Sequence, residues 1–189
     1  MSEWFTALPS RLPAGEPYIY LSAAQAPVLS TRLPSLAEAV PRLPCWAPQR
    51  RVADALGYDH GGIERALRWA GGRPYVWATE LENVHSLWRY DEPPLEIDGA
   101  RYRDSETYYH AQKPRPFDAT VWDARRVDVM RTGLRHKLAA RPSLGALLRA
   151  TAPHPLLALK PDDFWGVTPR GRGENMLARL WEELRAQAR

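Results

Sequence analysis

The sequence predicts an α+β fold, mainly helical with a small β-sheet, and three observations lead there. Apolar residues recur at helical spacing, as in Val127, Met130, Leu134 and Leu138 and again in Leu177, Leu180, Trp181 and Leu184. Strand-like runs are few and short, with Tyr18 to Leu21 and Tyr75 to Ala78 the clearest. Asp98-Gly99 also separates Leu95-Glu96-Ile97 from Ala100-Arg101-Tyr102, a hairpin signal because both residue types accept the positive φ of a tight turn.

With 189 residues the chain can form one ordinary domain, or one domain with an extension, around a sizeable core. Its 44% hydrophobic and 25% charged residues exclude wholesale disorder. A single cysteine, Cys45, rules out an internal disulfide and any zinc site built on cysteines. No apolar run approaches the roughly 20 residues needed to cross a bilayer, and Met-Ser-Glu-Trp-Phe lacks the basic-then-apolar order of a secretion signal. The expectation is a cytoplasmic protein with no membrane partner. A net charge of +4 permits acidic ligands without demanding them. Lysine survives only at Lys113, Lys137 and Lys160 among many arginines, and a retained lysine hints at amine chemistry that a guanidinium cannot supply. Eight tryptophans are either core anchors or surfaces on which a base can stack.

Residues 1–74 read as a proline-rich N-terminal extension wrapped on the body, since prolines from Pro9 to Pro48 exclude long helices. Within it, Tyr18 to Leu21 suits a strand, and Ser35 to Val40 suits one or two helical turns. Val52, Leu56, Ile63 and Leu67, interrupted by glycines, suit two short helices. Residues 75–189 then read as the main domain. The hairpin feeds a helix that Ser105 or Asp104 can cap and that Pro114 stops. A longer helix follows from about Trp122 to Ala140, its other side bearing Arg125, Arg126, Arg131, Arg135 and Lys137, a face that is usually solvated. Ser143 is placed to cap the next helix, and a last helix runs from about Asn175 to Gln187.

Two stretches carry chemistry. In residues 104–113, helical spacing puts Glu106, Tyr109, His110 and Lys113 on one face: a carboxylate, an aromatic platform and an amine. The same charges suit the helix dipole. In residues 162–175, spaced glycines and two arginines precede a helix N-terminus, an arrangement that can cradle an anion with backbone N–H groups. It lacks the Lys-Ser/Thr of the nucleotide-binding P-loop.

At these residues the sequence resembles the NADAR, or YbiA-like, family. The likeness rests on Asp98-Gly99, on Glu106 with Tyr108-Tyr109 and Ala111-Gln112-Lys113, and on Trp122 eight residues before Met130. It continues through Thr151-Ala152-Pro153, Asp162 with Trp165-Gly166, and Gly173 with Asn175. Three departures accompany it. Ser86-Leu87-Trp88 stands where the family has Ser-Asn-Phe, only eight residues separate Lys113 from Trp122, and residues 1–74 lie outside the likeness. The resemblance implies a YbiA-like fold and cleavage of an N-glycosidic bond at a ribose. The ligand it implies is a ribose-phosphate or ADP-ribose-containing small molecule, either a riboflavin-pathway intermediate or an ADP-ribose conjugate such as ADP-ribosylated guanine in nucleic acid. No cofactor or metal is called for.

By the same resemblance, Glu106 is the expected catalytic carboxylate, with Asp162 a second carboxylate for proton transfer or hydroxyl binding. Trp122, Trp165 and Tyr109 would hold base or ribose. Gly166, Arg170, Gly171, Gly173 and Asn175 would form the wall and phosphate cradle. Lys113 has two readings: an electrostatic partner of phosphate or Glu106, or an amine that attacks opened ribose as a Schiff base, for which burial must hold an amine neutral. The alternative function is a non-catalytic module on the same fold that binds ADP-ribose or nucleic acid.

Overall fold

A computed structural model describes residues 4–82 and 93–187. The departure at Leu87 therefore lies outside the described residues. The chain adopts an α+β fold with a three-stranded sheet, a separate hairpin and seven α-helices among the described residues.

The three-stranded sheet is built largely from the proline-rich segment. β1 (Tyr18–Leu21) lies at its centre, antiparallel to β2 (Cys45–Pro48) and parallel to β3 (Val76–Ala78). Single bridges extend it at both edges, Phe5 to Trp46 and Val76 to Leu156. Strand alternation explains why β1 is buried on both faces. Tyr18 joins the larger core with Trp46 and Trp77, whereas Ile19 and Leu21 join a second core with Cys45, Ala47 and Val52. β2 was not legible as a strand, because Cys45-Trp46-Ala47-Pro48 sits among prolines; Pro48 is tolerated because it closes the strand. Burial pushes the Cys45 thiol up to about 11, against the pull of nearby Arg42, so the thiol is chemically quiet.

The second core is covered by α1 (Ala26–Arg32) and a 3-10 run over Pro34–Arg42. Then come α2 (Gln49–Ala55) and α3 (Gly61–Trp69), the two short helices that the interrupted periodicity predicts. α3 packs Ile63, Ala66 and Leu67 on Tyr75, Leu157 and Val167.

The hairpin forms at the expected residues. β4 (Leu95–Ile97) and β5 (Ala100–Tyr102) pair through Asp98 at φ 51 and Gly99 at φ 77, the two positive values of a tight primed turn. This hairpin does not join the three-stranded sheet. The hairpin stays two-stranded and instead presses Leu95 and Ile97 into the main core beside the long helix.

Three helices follow it. α4 (Ser105–Ala111) is capped by Asp104, whose Oδ1 accepts from the Thr107 backbone N–H at 2.7 Å. α5 (Ala119–Ala140) starts three residues before Trp122 because Asp118 caps it through the Val121 N–H at 3.0 Å. α6 (Pro142–Ala150) corrects the expectation for Ser143. Pro142 opens the helix, a position where its missing N–H costs nothing, and no side-chain cap is present. α7 (Met176–Gln187) closes the chain with Leu177, Leu180, Trp181 and Leu184 buried.

The basic side of α5 also differs from expectation. Arg126 pairs with Asp123, Arg131 pairs with both Asp128 and Glu183, and Lys137 is only 2% exposed. A continuous solvated cationic face is therefore not present on this helix.

α4 approaches α5 at Gly133, where a Cβ would meet Tyr108 Cδ1 at 3.1 Å and Ser105 Cβ at 3.4 Å. Gly133→Leu should push α4 away and destabilise the protein by about 1–3 kcal/mol, read as a lowered urea midpoint. An unchanged midpoint would show that this approach is not tight.

Candidate functional site

α4 carries the first set of candidate residues, and its entry is rigid. Asp104 is buried, and its carboxylate accepts from the Thr107 N–H and hydroxyl, both at 2.7 Å, and from Arg103 Nε at 2.9 Å. Burial alone would raise its pKa, but these donors outweigh it and hold the carboxyl below the usual aspartate value. Two residues further on, Glu106 pairs with His110 Nε2 at 2.7 Å. Glu106 is half-buried and His110 exposed, so the carboxylate is both oriented and accessible.

An aromatic cluster forms the adjoining wall. Tyr109, 6% exposed, meets Trp122 at a ring-centroid distance of 4.8 Å and Trp165 at 5.5 Å, both edge-on. Lys113 Nζ lies 5.8 Å from the Tyr109 ring centroid and 5.9 Å from that of Trp122, within cation–π reach of both. Burial raises the Tyr109 phenol, with the two indoles pulling the other way. The structure thus gathers Tyr109, Lys113, Trp122 and Trp165. Trp122 is buried at 5% exposure and serves as an anchor of this wall; Trp165 is only partly covered.

The turn that delivers Trp165 is shaped by Asp162. This exposed carboxylate accepts from the N–H groups of Phe164 at 2.9 Å and Trp165 at 2.7 Å. Phe164 in turn stacks under Arg126 of α5, 3.6 Å from its Cζ, so α5 grips the turn from the side. Gly166 is required next. A Cβ there would strike the Lys160 side chain and come within 2.6 Å of the Ala158 carbonyl oxygen.

The approach to α7 departs from the anion cradle expected there. The N–H groups of Glu174, Asn175, Met176 and Leu177 donate to the carbonyls of Asp163, Gly166, Phe164 and Trp165 at 2.7–3.1 Å. The chain's own turn therefore fills the helix N-terminus. Asn175, in a left-handed conformation at φ 55 and buried, spends its side chain on the backbone: Nδ2 donates to the Leu156 carbonyl at 2.9 Å and Oδ1 accepts from the Ala158 N–H at 3.0 Å. Gly173 stands at φ 144, its carbonyl accepting from Trp69 Nε1 of α3 at 3.1 Å. Gly171, at φ 74, backs onto α3, where a Cβ would lie 3.0 Å from that of Arg65. Arg170 is exposed and lines a separate cleft of about 450 Å³ with Asp163 and Arg172.

Glu82 is a hydrogen-bonding hub that sequence reasoning missed. Its Oε1 accepts from Trp77 Nε1 at 2.9 Å and its Oε2 from Lys160 Nζ at 3.0 Å, while its backbone carbonyl accepts from Lys137 Nζ at 2.5 Å. Two of the three lysines in the chain meet on this residue. Lysine scarcity was the only signal in the sequence that pointed toward it. Among the described residues, no group of three or more His, Cys, Asp or Glu is placed to hold a metal ion, and no helix is long and apolar enough to cross a membrane.

Asn175→Ala should cost about 2–4 kcal/mol, because it strands two buried backbone groups and places a Cβ-bearing residue without a local side-chain partner at positive φ. Asn175→Gly restores the backbone freedom only, so it should remain clearly below the parent in chemical denaturation. A Gly variant as stable as the parent would show that the two side-chain bonds contribute nothing.

Parts of the chain match known proteins. The family model described as NADAR domain matches residues 111–189. N-glycosidase YbiA of Escherichia coli strain K12 is 32% identical over 120 residues, which cover 50% of this chain and 75% of that protein. The chloroplastic riboflavin biosynthesis protein PYRR of Zea mays is 36% identical over 69 residues, covering 36% of this chain and 11% of that protein. Among solved structures, the NMR structure of the Escherichia coli protein YbiA is 29% identical with a TM-score of 0.48, covering 57% of this chain and 76% of that one. With three quarters of the bacterial relative matched at 32% identity, this chain belongs to the NADAR, or YbiA-like, family.

Proposed function

We propose that the protein is an N-glycosidase that hydrolyses the bond between a ribose and a nitrogenous base. The observation that carries this reading is the Glu106 carboxylate, oriented by His110 and standing on the same short helix as Tyr109, whose ring meets Trp122 and Trp165 to form the aromatic wall. Its family relative is named as an N-glycosidase, which supports the same chemistry.

In the proposed reaction, water attacks the anomeric carbon as the carbon–nitrogen bond breaks, and the base leaves with a proton. Positive charge builds on the sugar at that moment. A carboxylate beside it stabilises the charge and accepts the proton of the incoming water. Glu106 takes this role, and the bond to His110 fixes the direction of its oxygens and offers a route for the proton. The partly covered Trp165 face supplies the stacking surface for base or ribose. Asp162 acts in this scheme by holding the Trp165 turn, with its remaining acceptor capacity available to a sugar hydroxyl.

Lys113 fits the electrostatic role better than the covalent one. Its ammonium rests against the Tyr109 and Trp122 rings, a position from which it can meet a substrate phosphate. Substrates of this class are phosphorylated ribosides of the riboflavin pathway, suggested by the name of the maize relative, and ADP-ribose conjugates of guanine.

Glu106→Gln should abolish base release while leaving the urea midpoint within about 0.5 kcal/mol of the parent. Incubation with both substrate types, with base and sugar read by mass spectrometry, provides the measurement. Full activity in the variant would remove Glu106 from the mechanism. Borohydride added during turnover should trap no adduct on Lys113, and a covalent adduct at that residue would restore the Schiff-base route.

A further inference from the structure

A second cleft, of about 610 Å³, opens between α2, α3 and residues 159–169. Its volume lies in the range of small-ligand sites. None of Glu106, Tyr109, Lys113, Trp122 or Trp165 lines it, and most of its wall precedes residue 111, where the family match begins. Much of the lining is hydrocarbon: Val52, Leu56 and Ile63 come from the α2–α3 segment and Leu159 from the later one. A surface of that kind gains free energy by covering the apolar body of a ligand.

Four ionisable side chains also line the cleft, Tyr58, Asp59, Arg65 and Lys160, and their charges are not equally free. Lys160 is committed, since its Nζ donates to Glu82 Oε2 at 3.0 Å. Asp59 Oδ1 accepts from the Gly61 N–H at 2.6 Å, so the first turn of α3 and its dipole answer this carboxylate locally. Arg65 is different. Its Nε donates to the carbonyl of Pro169, itself a lining residue, and this bond fixes the direction of an exposed guanidinium. Arg65 forms no ion pair among the described residues, so the Nη1–Nη2 edge of its fork keeps its donors for an occupant. The cleft therefore joins a hydrocarbon wall to one uncommitted cation.

We propose that this cleft binds a small organic acid, its hydrocarbon body against Val52, Leu56, Ile63 and Leu159 and its carboxylate held end-on by Arg65. The edge of a guanidinium offers two parallel N–H donors that match the two oxygens of a carboxylate. One guanidinium also balances a monoanion. A phosphate dianion would call for a second free cation, and Lys160 is already held by Glu82. Apolar walls beside the pair lower the local dielectric and strengthen it. This site is distinct from the Glu106 wall and stands whether or not that wall is hydrolytic.

Calorimetric titration of the whole chain with octanoate and 3-phenylpropionate tests it, with acetate and octylamine as controls. At least one of the two acids should saturate a single site with a Kd below about 1 mM. Acetate lacks the apolar body and should bind at least about tenfold more weakly. Octylamine, which sets a like charge against Arg65, should also bind at least about tenfold more weakly. Arg65→Gln should weaken the acid about tenfold. Asp59→Asn keeps an acceptor for the Gly61 N–H but removes the opposing charge, and should tighten the acid about twofold to threefold. Glu106→Gln should leave binding unchanged, which separates this site from the catalytic reading. No saturable binding of either acid, octylamine binding as tightly as the acids, unaltered affinity in the Arg65 variant, or weakened affinity in the Asp59 or Glu106 variant would overturn the proposal.

Discussion

The site depends first on the side chain of Asn175. By bonding to both Leu156 and Ala158 it acts as an extra strand edge for that segment, and its own N–H reaches the Gly166 carbonyl. Three pieces of chain are pinned at one point: the segment bearing Leu156 to Ala158, the turn bearing Trp165, and the start of α7. Each bond is buried, so each replaces a contact with water that the backbone would otherwise lose. Together with Asp162 and Arg126, this clamp holds the Trp165 side of the aromatic wall in place. The positive φ of Asn175 is tolerated because an amide side chain can find partners close by.

The remaining geometry follows from short-range rules acting on that frame. A primed turn at Asp98-Gly99 and a cap at Asp104 set the start of α4, and the spacing of α4 then puts Glu106 and His110 one turn apart on a common face. These features were legible in the sequence because they are local: each rests on residues within four positions of one another. The features that were not legible are those that depend on distant partners. Glu82 gains its importance from Trp77, Lys137 and Lys160, which no periodicity connects. Lys137 reads as solvated on a helical wheel, yet tertiary packing buries it against the Glu82 carbonyl.

The approach to α7 shows the limit most sharply. Its glycines, arginines and helix start have the composition of an anion cradle, but the carbonyls of Asp163, Phe164, Trp165 and Gly166 occupy the same N–H groups. Composition records that the backbone must come close to something there. It does not record whether that partner is a ligand or the protein itself. Gly173 gives the answer in steric terms, since a side chain would collide with the Gly166 carbonyl, a contact made by backbone alone.

The central place of β1 has a consequence for how the protein is made. Its parallel neighbour β3 lies more than fifty residues later in the chain, and the bridge from Val76 to Leu156 adds a still longer closure. During synthesis the first strand leaves the ribosome long before its partners, with Ile19 and Leu21 exposed on one face and Tyr18 on the other. Only the antiparallel β1–β2 pair and the small core beneath it can assemble early; the larger core must wait for residue 156 and for α7 beyond it. A ribosome-bound nascent chain would therefore spend most of its elongation as a half-covered sheet, a natural client for chaperones that shield apolar edges.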